Sequence, residues 1–144
     1  MSNTKKTLAT DEELEKFEHF LFEMDDVLEE FVLTASQAGF NLNYSIDSLA
    51  DLERFITANS EHSDSSFDNR AARYLGEVFR KLVGGKWELC LKNPRYMYFK
   101  LPVISGYSTH SIEFCPIEMI ANLKAKKEAG MLRTAVESHL DFKS

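Results

Sequence analysis

Four histidines, two cysteines and one run of hydroxyl residues beside an imidazole are the places where this chain of 144 residues could carry out chemistry. Ser108-Thr109-His110-Ser111 supplies hydroxyls next to a ring nitrogen. Nucleophilic catalysis needs a base and an orienting acid gathered in space, however, and no GxSxG elbow surrounds these serines. His19, His62, His110 and His139 are scattered, none at the spacing by which HExxH or a related helix holds a metal. His19 stands four residues from both Glu15 and Glu23, which reads as a solvated histidine on an acidic helix. Cys90 and Cys115 belong to no CxxC pair and sit among apolar neighbours, as reduced cysteines packed like small hydrophobes do. Gly84-Gly85-Lys86 shares residue types with a phosphate loop, yet GxxxxGK[ST] precedes a helix and this pair follows one. Glu77, with Arg73 and Lys81 four residues to either side, fits a solvated ion-pair row. These readings predict no catalytic residue, no metal ligand and no cofactor.

Charge is more informative than any of these groups. Residues 11–68 hold 16 acids and 2 bases, whereas residues 70–144 hold 13 bases and 7 acids, which with Lys5 and Lys6 gives the net charge of -6. The stretch Lys86 to Lys100, with Trp87, Tyr96, Tyr98 and Phe99, has the look of a stacking platform for single-stranded nucleic acid. Core packing and β propensity account for its aromatics, and the acidic half would repel phosphates, so nucleic acid is not an expected partner. A basic protein surface would be attracted to it. The acids predicted to make that contact are Glu23, Asp25, Asp26, Glu29 and Glu30, with Asp47 and Asp51.

Hydrophobic spacing outlines the scaffold that must carry these groups. Residues 1–9 read as a disordered tail and residues 10–144 as a single domain. Leu14, Phe17, Leu21, Met24, Leu28 and Phe31 fall on one stripe of a long helix from Asp11 to about Ala38, opened by a Thr10–Glu13 capping box and closed by Gly39. Phe20, Phe22, Val27 and Val32 widen its apolar arc, so the helix is covered on two sides or offers part of the arc to a partner, a homodimer included. Phe40 to Tyr44 fits a short strand or linker. Ser45 then caps a second helix carrying Ile46, Leu49, Leu52, Phe55 and Ile56, with Asp47, Asp51 and Glu53 off that face. A third helix carries Phe67, Ala71, Tyr74, Leu75, Val78, Phe79 and Leu82 and stops at Gly84-Gly85. Gly76 inside it costs about 1 kcal/mol relative to Ala, which suggests that another backbone approaches closely there.

Trp87, Leu89 and Leu91 alternate as a strand, Asn93-Pro94-Arg95 as a turn and Tyr96 to Leu101 as a second strand of a hairpin. A short third strand is expected over Ser111 to Phe114. Pro116 opens a helix that runs to Gly130, and Leu132, Val136 and Leu140 mark a last helical piece. The fold class is therefore α+β: three N-terminal helices, a small antiparallel sheet of about three strands, and C-terminal helices. No apolar run approaches the roughly 18 residues of a membrane span. With no secretory signal visible, a cytoplasmic, non-membrane protein is expected.

Tyr74-Leu75-Gly76-Glu77, Arg80, Gly84-Gly85 and Trp87 together resemble a motif of small uncharacterised bacterial domains. Leu42-Asn43-Tyr44-Ser45 with Ser48, Leu49 and Leu52 is similar to their helix entry, and Pro116 to Leu140 to their Pro-headed terminal helices. The likeness spans about residues 40–142 and leaves out the acidic helix before it. Such domains occur among immunity proteins encoded beside polymorphic bacterial toxins. The resemblance implies a non-enzymatic protein that binds and neutralises a cognate toxin; the alternative is a small enzyme or ligand-binding domain with a cleft between the third helix and the sheet.

Overall fold

Helix α1 (Asp11–Phe22) begins at the expected capping box. The Glu13 N–H donates to Thr10 Oγ1 at 3.1 Å, and the Thr10 N–H donates to Glu13 Oε1 at 2.9 Å. The same carboxylate meets Lys100 at 3.1 Å, tying the helix start to the far end of the chain's middle loop. The computed structural model describes residues 9–60, 64–92 and 94–143. Of the tail expected over 1–9, residues 1–8 lie outside the described residues, and Ala9 is buried. The Thr10 N–H, and then Lys100, hold the Glu13 carboxyl below its ordinary value of 4.5. A lowered carboxylate pKa stabilises the fold above that ordinary value and stops doing so as the pH falls through the lowered one. Acid is therefore expected to loosen this turn first at Glu13. An NMR titration of its carboxyl carbon in wild type and Lys100→Gln checks this: the midpoint should rise in the variant, which loses the ion pair.

The single long helix expected from Asp11 to Ala38 is in fact two, broken at Glu23, with α2 running Met24–Gln37. The cause is a side chain from a distant helix. Phe20 and Met24 both turn inward, and Arg73 Nη1 donates to the Phe20 carbonyl oxygen at 2.7 Å, occupying an acceptor at the place where the ladder is interrupted. Beyond Gln37 the Gly39 N–H bonds Ser36 O and the Phe40 N–H bonds Ala35 O, with Gly39 at φ +93, a Schellman ending that needs glycine's left-handed backbone.

Phe40 to Tyr44 forms no strand, because its polar backbone groups are taken by side chains. The Asn41 N–H donates to Asp51 Oδ2 at 2.6 Å, and the Tyr44 N–H donates to Tyr74 Oη at 2.7 Å with Tyr44 at φ +66. Ser45 Oγ accepts the Ser48 N–H, one turn ahead of α3 (Ser48–Ala58). Helix α4 (Ser65–Leu82), capped by Asp64 on the Phe67 N–H, is the central beam, packing on α2, α3 and α5 (Pro116–Lys126). Phe31, Phe55, Phe67 and Tyr74 interlock on one side of it, and Phe79 stacks on Phe114 with ring centroids 4.2 Å apart on the other. Each such side chain contributes about 2 kcal/mol by leaving water.

Gly84 and Gly85, at φ +109 and +92, turn the chain from α4 into β1 (Lys86–Leu89). Strand β2 is Pro102–Ser105, antiparallel to β1 with Trp87 opposite Ile104 and Leu89 opposite Pro102. The expected three-strand sheet is thus two strands. Residues 94–101 fold into turns, with Lys100 at φ +67, and Tyr96, Tyr98 and Leu101 all pack on Cys90, Val103 and Cys115, so strict alternation is lost. Val103 and Ile104, β-branched and fully buried, hold the pairing position that the tyrosines alternate for. The segment from Ser111 reduces to one antiparallel bridge, Phe114 with Ile104, because helix α5 starts two residues later.

Helix α5 stops at Lys126, short of Gly130, with Lys127 left-handed at φ +54. Helix α6 (Met131–Ser138) and a 3-10 turn at Leu140–Phe142 complete the α+β fold of six helices and a two-stranded sheet among the described residues. No helix of these residues is long and apolar enough to cross a membrane.

Candidate functional site

The two thiols are held in unreactive settings, and the His110 ring makes no hydrogen bond to a hydroxyl among the described residues. His110 turns its ring edge to Phe142, and its backbone N–H, not its ring, bonds Ser108 Oγ. His62 lies outside the described residues. Cys90 Sγ donates to Glu113 Oε1 at 3.6 Å, and Lys92 Nζ stands 3.4 Å from the other oxygen of that carboxylate. Burial pushes both thiols up, Cys115 to about 11, so both are protonated near neutral pH and are poor nucleophiles. Among the described residues no group of three or more His, Cys, Asp or Glu side chains could hold a metal ion.

The acids predicted for partner contact fall into two settings. Asp25, Asp26, Glu29 and Glu30 all stand exposed on α2, a helix with no basic residue, and none makes an ion pair among the described residues. Asp26, Glu29, Glu30 and Leu33 are spaced three, four and seven apart, which places them on the side opposite buried Leu28, Phe31 and Ala35. Leu33 is 57 % exposed, and Phe22, one helical turn before Asp26 across the break, is 85 % exposed. Asp25 and Glu29 also edge a depression of about 340 Å³ beside Tyr44, Glu77 and Lys81. Burial, the Tyr74 phenol and the charges of Glu77 and Asp25 push the Tyr44 phenol up to about 12, so it stays a neutral donor. Glu23, at the break, faces a different region, the cleft described below.

Asp47 and Asp51 have partners within the fold. Asp47 pairs with Arg133 of α6 at 2.7 Å, while Asp51 bonds the Asn41 N–H and Arg54.

A second concave region lies between α1, α4 and the sheet, a cleft of about 660 Å³. Phe17, Leu89 and Pro102 give it apolar walls, and Arg73 lies at its base. Glu77, read from its spacing as part of a solvated row with Arg73 and Lys81, is otherwise engaged: it pairs with Arg80 at 3.1 Å and accepts the Trp87 Nε1–H at 2.7 Å. Arg73 turns inward. Spacing on α4 carries a signal of this, since Arg73 falls between Ala72 and Tyr74 beside an otherwise apolar arc, but a long cation there reads as solvated until α1 is known to cross above it. Comparison with protein-family models, curated proteins and solved structures finds no match to this chain.

Proposed function

We propose that this chain is a binding protein that docks a basic protein partner on the outward face of α2, in the manner of an immunity protein neutralising a toxin. One observation carries the reading: four carboxylates with no ion pair among the described residues and no basic neighbour on their helix, flanked by Phe22 and Leu33, both exposed. Exposed apolar side chains bordered by charge are what a docking surface presents, the apolar groups supplying contact and the charges speeding encounter. Exposed like charges on one helix repel each other, and a basic partner relieves that repulsion. Asp47 and Asp51 drop to the margin, because Arg133 and Arg54 already pair with them and the Asn41 N–H donates to Asp51.

The test is co-purification with the product of the adjacent gene, followed by association kinetics at two salt concentrations. The triple reversal Asp26→Lys, Glu29→Lys, Glu30→Lys is expected to slow association by about tenfold or more at low salt and to abolish most of the salt dependence. Phe22→Ala with Leu33→Ala is expected to act mainly on dissociation. A complex formed equally well by both variants, or no complex at all, would overturn the proposal.

A further inference from the structure

Arg73 is only 5 % exposed, yet no carboxylate stands within 4.0 Å of it among the described residues. Its Nε donates to Asn69 Oδ1 and its Nη1 to Phe20 O, both at 2.7 Å, and the guanidinium lies 4.1 Å from the Phe20 ring centroid. These are neutral partners. They satisfy two donors and position the side chain, but they do not balance its charge, and Nη2 has no hydrogen-bond partner among the described residues. Glu23 in the same cleft offsets that charge in part, but burial outweighs it. A buried cation so weakly countered is costly, and the role of holding the Phe20 carbonyl needs no charge, since a neutral amide would serve it. An anion arriving beside Nη2 would supply the missing charge in a site of low dielectric, where such a hydrogen bond is strong.

The surroundings limit that anion. The mouth of the cleft carries Glu12, Glu15 and Glu23 against Lys16, while Glu13 and Lys100 neutralise each other at 3.1 Å. A ligand with several negative charges would be repelled by this rim, whereas one charge is matched by Arg73. Phe17, Leu89 and Pro102 offer an apolar body a dry wall, and a volume of about 660 Å³ accommodates a small organic molecule.

We propose that the cleft between α1, α4 and the sheet binds a small organic monocarboxylate, its carboxylate on Arg73 Nη2 and its apolar body against Phe17, Leu89 and Pro102. The site is separate from the outward face of α2 and does not depend on a protein partner being found there.

Phenylacetate, phenethylamine and ATP serve as probes, titrated into the full chain while NMR follows the Arg73 Nε–H and the amides of Asn69 and Leu89. Phenylacetate should give saturable shifts at all three, and phenethylamine and ATP should bind at least about tenfold more weakly. Arg73→Gln keeps a donor for the Phe20 carbonyl and removes the charge, and it should weaken phenylacetate by about tenfold or more. Leu89→Glu, which leaves Arg73 in place and adds a negative charge to the wall, should do the same and covers the case in which Arg73→Gln does not fold. Equal binding of the amine, unchanged affinity in a folded variant, shifts that map elsewhere, or no saturable phenylacetate binding would each overturn the assignment.

Discussion

Replacing Gly76 by alanine is expected to destabilise the fold by about 2 kcal/mol, although the same change in an ordinary helix would stabilise it by roughly 1 kcal/mol. The sign is reversed by one neighbour. A Cβ at Gly76 would lie 2.2 Å from Trp87 Cζ2 and 2.4 Å from Cη2, with Ile104 Cδ1 at 3.3 Å behind. The indole cannot simply swing away: it is 8 % exposed, its Nε1–H is held by Glu77 at 2.7 Å, and Phe20 sits edge-on to it at 5.1 Å. Moving it would therefore pull on α4, on β1 and on the base of the Arg73 cleft together. Urea unfolding of Gly76→Ala, Trp87→Phe and the double variant separates this from a general packing loss. In the Trp87→Phe background the two crowded ring atoms are gone, so Gly76→Ala should become nearly neutral or stabilising. Additive effects in the double variant would show that the indole is not what requires glycine.

This pair also shows what the sequence made legible. A glycine inside a strongly amphipathic helix announces a close approach, but the neighbour is the Trp87 indole and not the backbone expected there; that partner is fixed only by the Gly84-Gly85 turn folding β1 back along α4. Features set by neighbours along the chain were readable: the Thr10–Glu13 box, the Gly39 ending and the helical face of α4. Features set across the fold were not. Arg73 reaches over to the Phe20 carbonyl where one helix becomes two, a contact spanning 53 residues whose far partner the spacing on α4 does not name. The tyrosine alternation over residues 96–101 looked like a strand because turns packed on a small cluster can bury alternate residues as a sheet does. The acidic face of α2 was visible as composition. That Asp47 and Asp51 have partners within the fold depended on where α6 docks and how the α2–α3 connection folds.

Loss of Glu53 should cost far more than that of the other acid on α3. Spacing sets it off the apolar face of α3, among the solvated acids, yet it is 8 % exposed. Its two carboxylate oxygens accept the Gly130 N–H at 2.8 Å and the Leu132 N–H at 2.9 Å, across 77 and 79 residues. The reason lies in α6, which opens at Gly130 with no Ser, Thr, Asp or Asn to cap it and no side-chain cap bond of its own. A helix of eight residues without a local cap needs its first amides met from elsewhere, and a carboxylate at the positive helix end does this with charge as well as geometry. Glu53→Ala leaves two amides without partners next to buried Leu132 and should cost about 3 kcal/mol. Glu53→Gln can accept from one amide only, its NH2 facing the other, and should cost about 2 kcal/mol. The two variants should share a local signature: hydrogen exchange at Leu132 speeds up far more than at Leu75 in the core of α4, because α6 can detach before the central packing opens. Equal acceleration at both amides would mean that Glu53 acts on the whole core. Protection of Leu132 unchanged in a folded Glu53→Gln would remove the cap from the account of how the C-terminal helix is held.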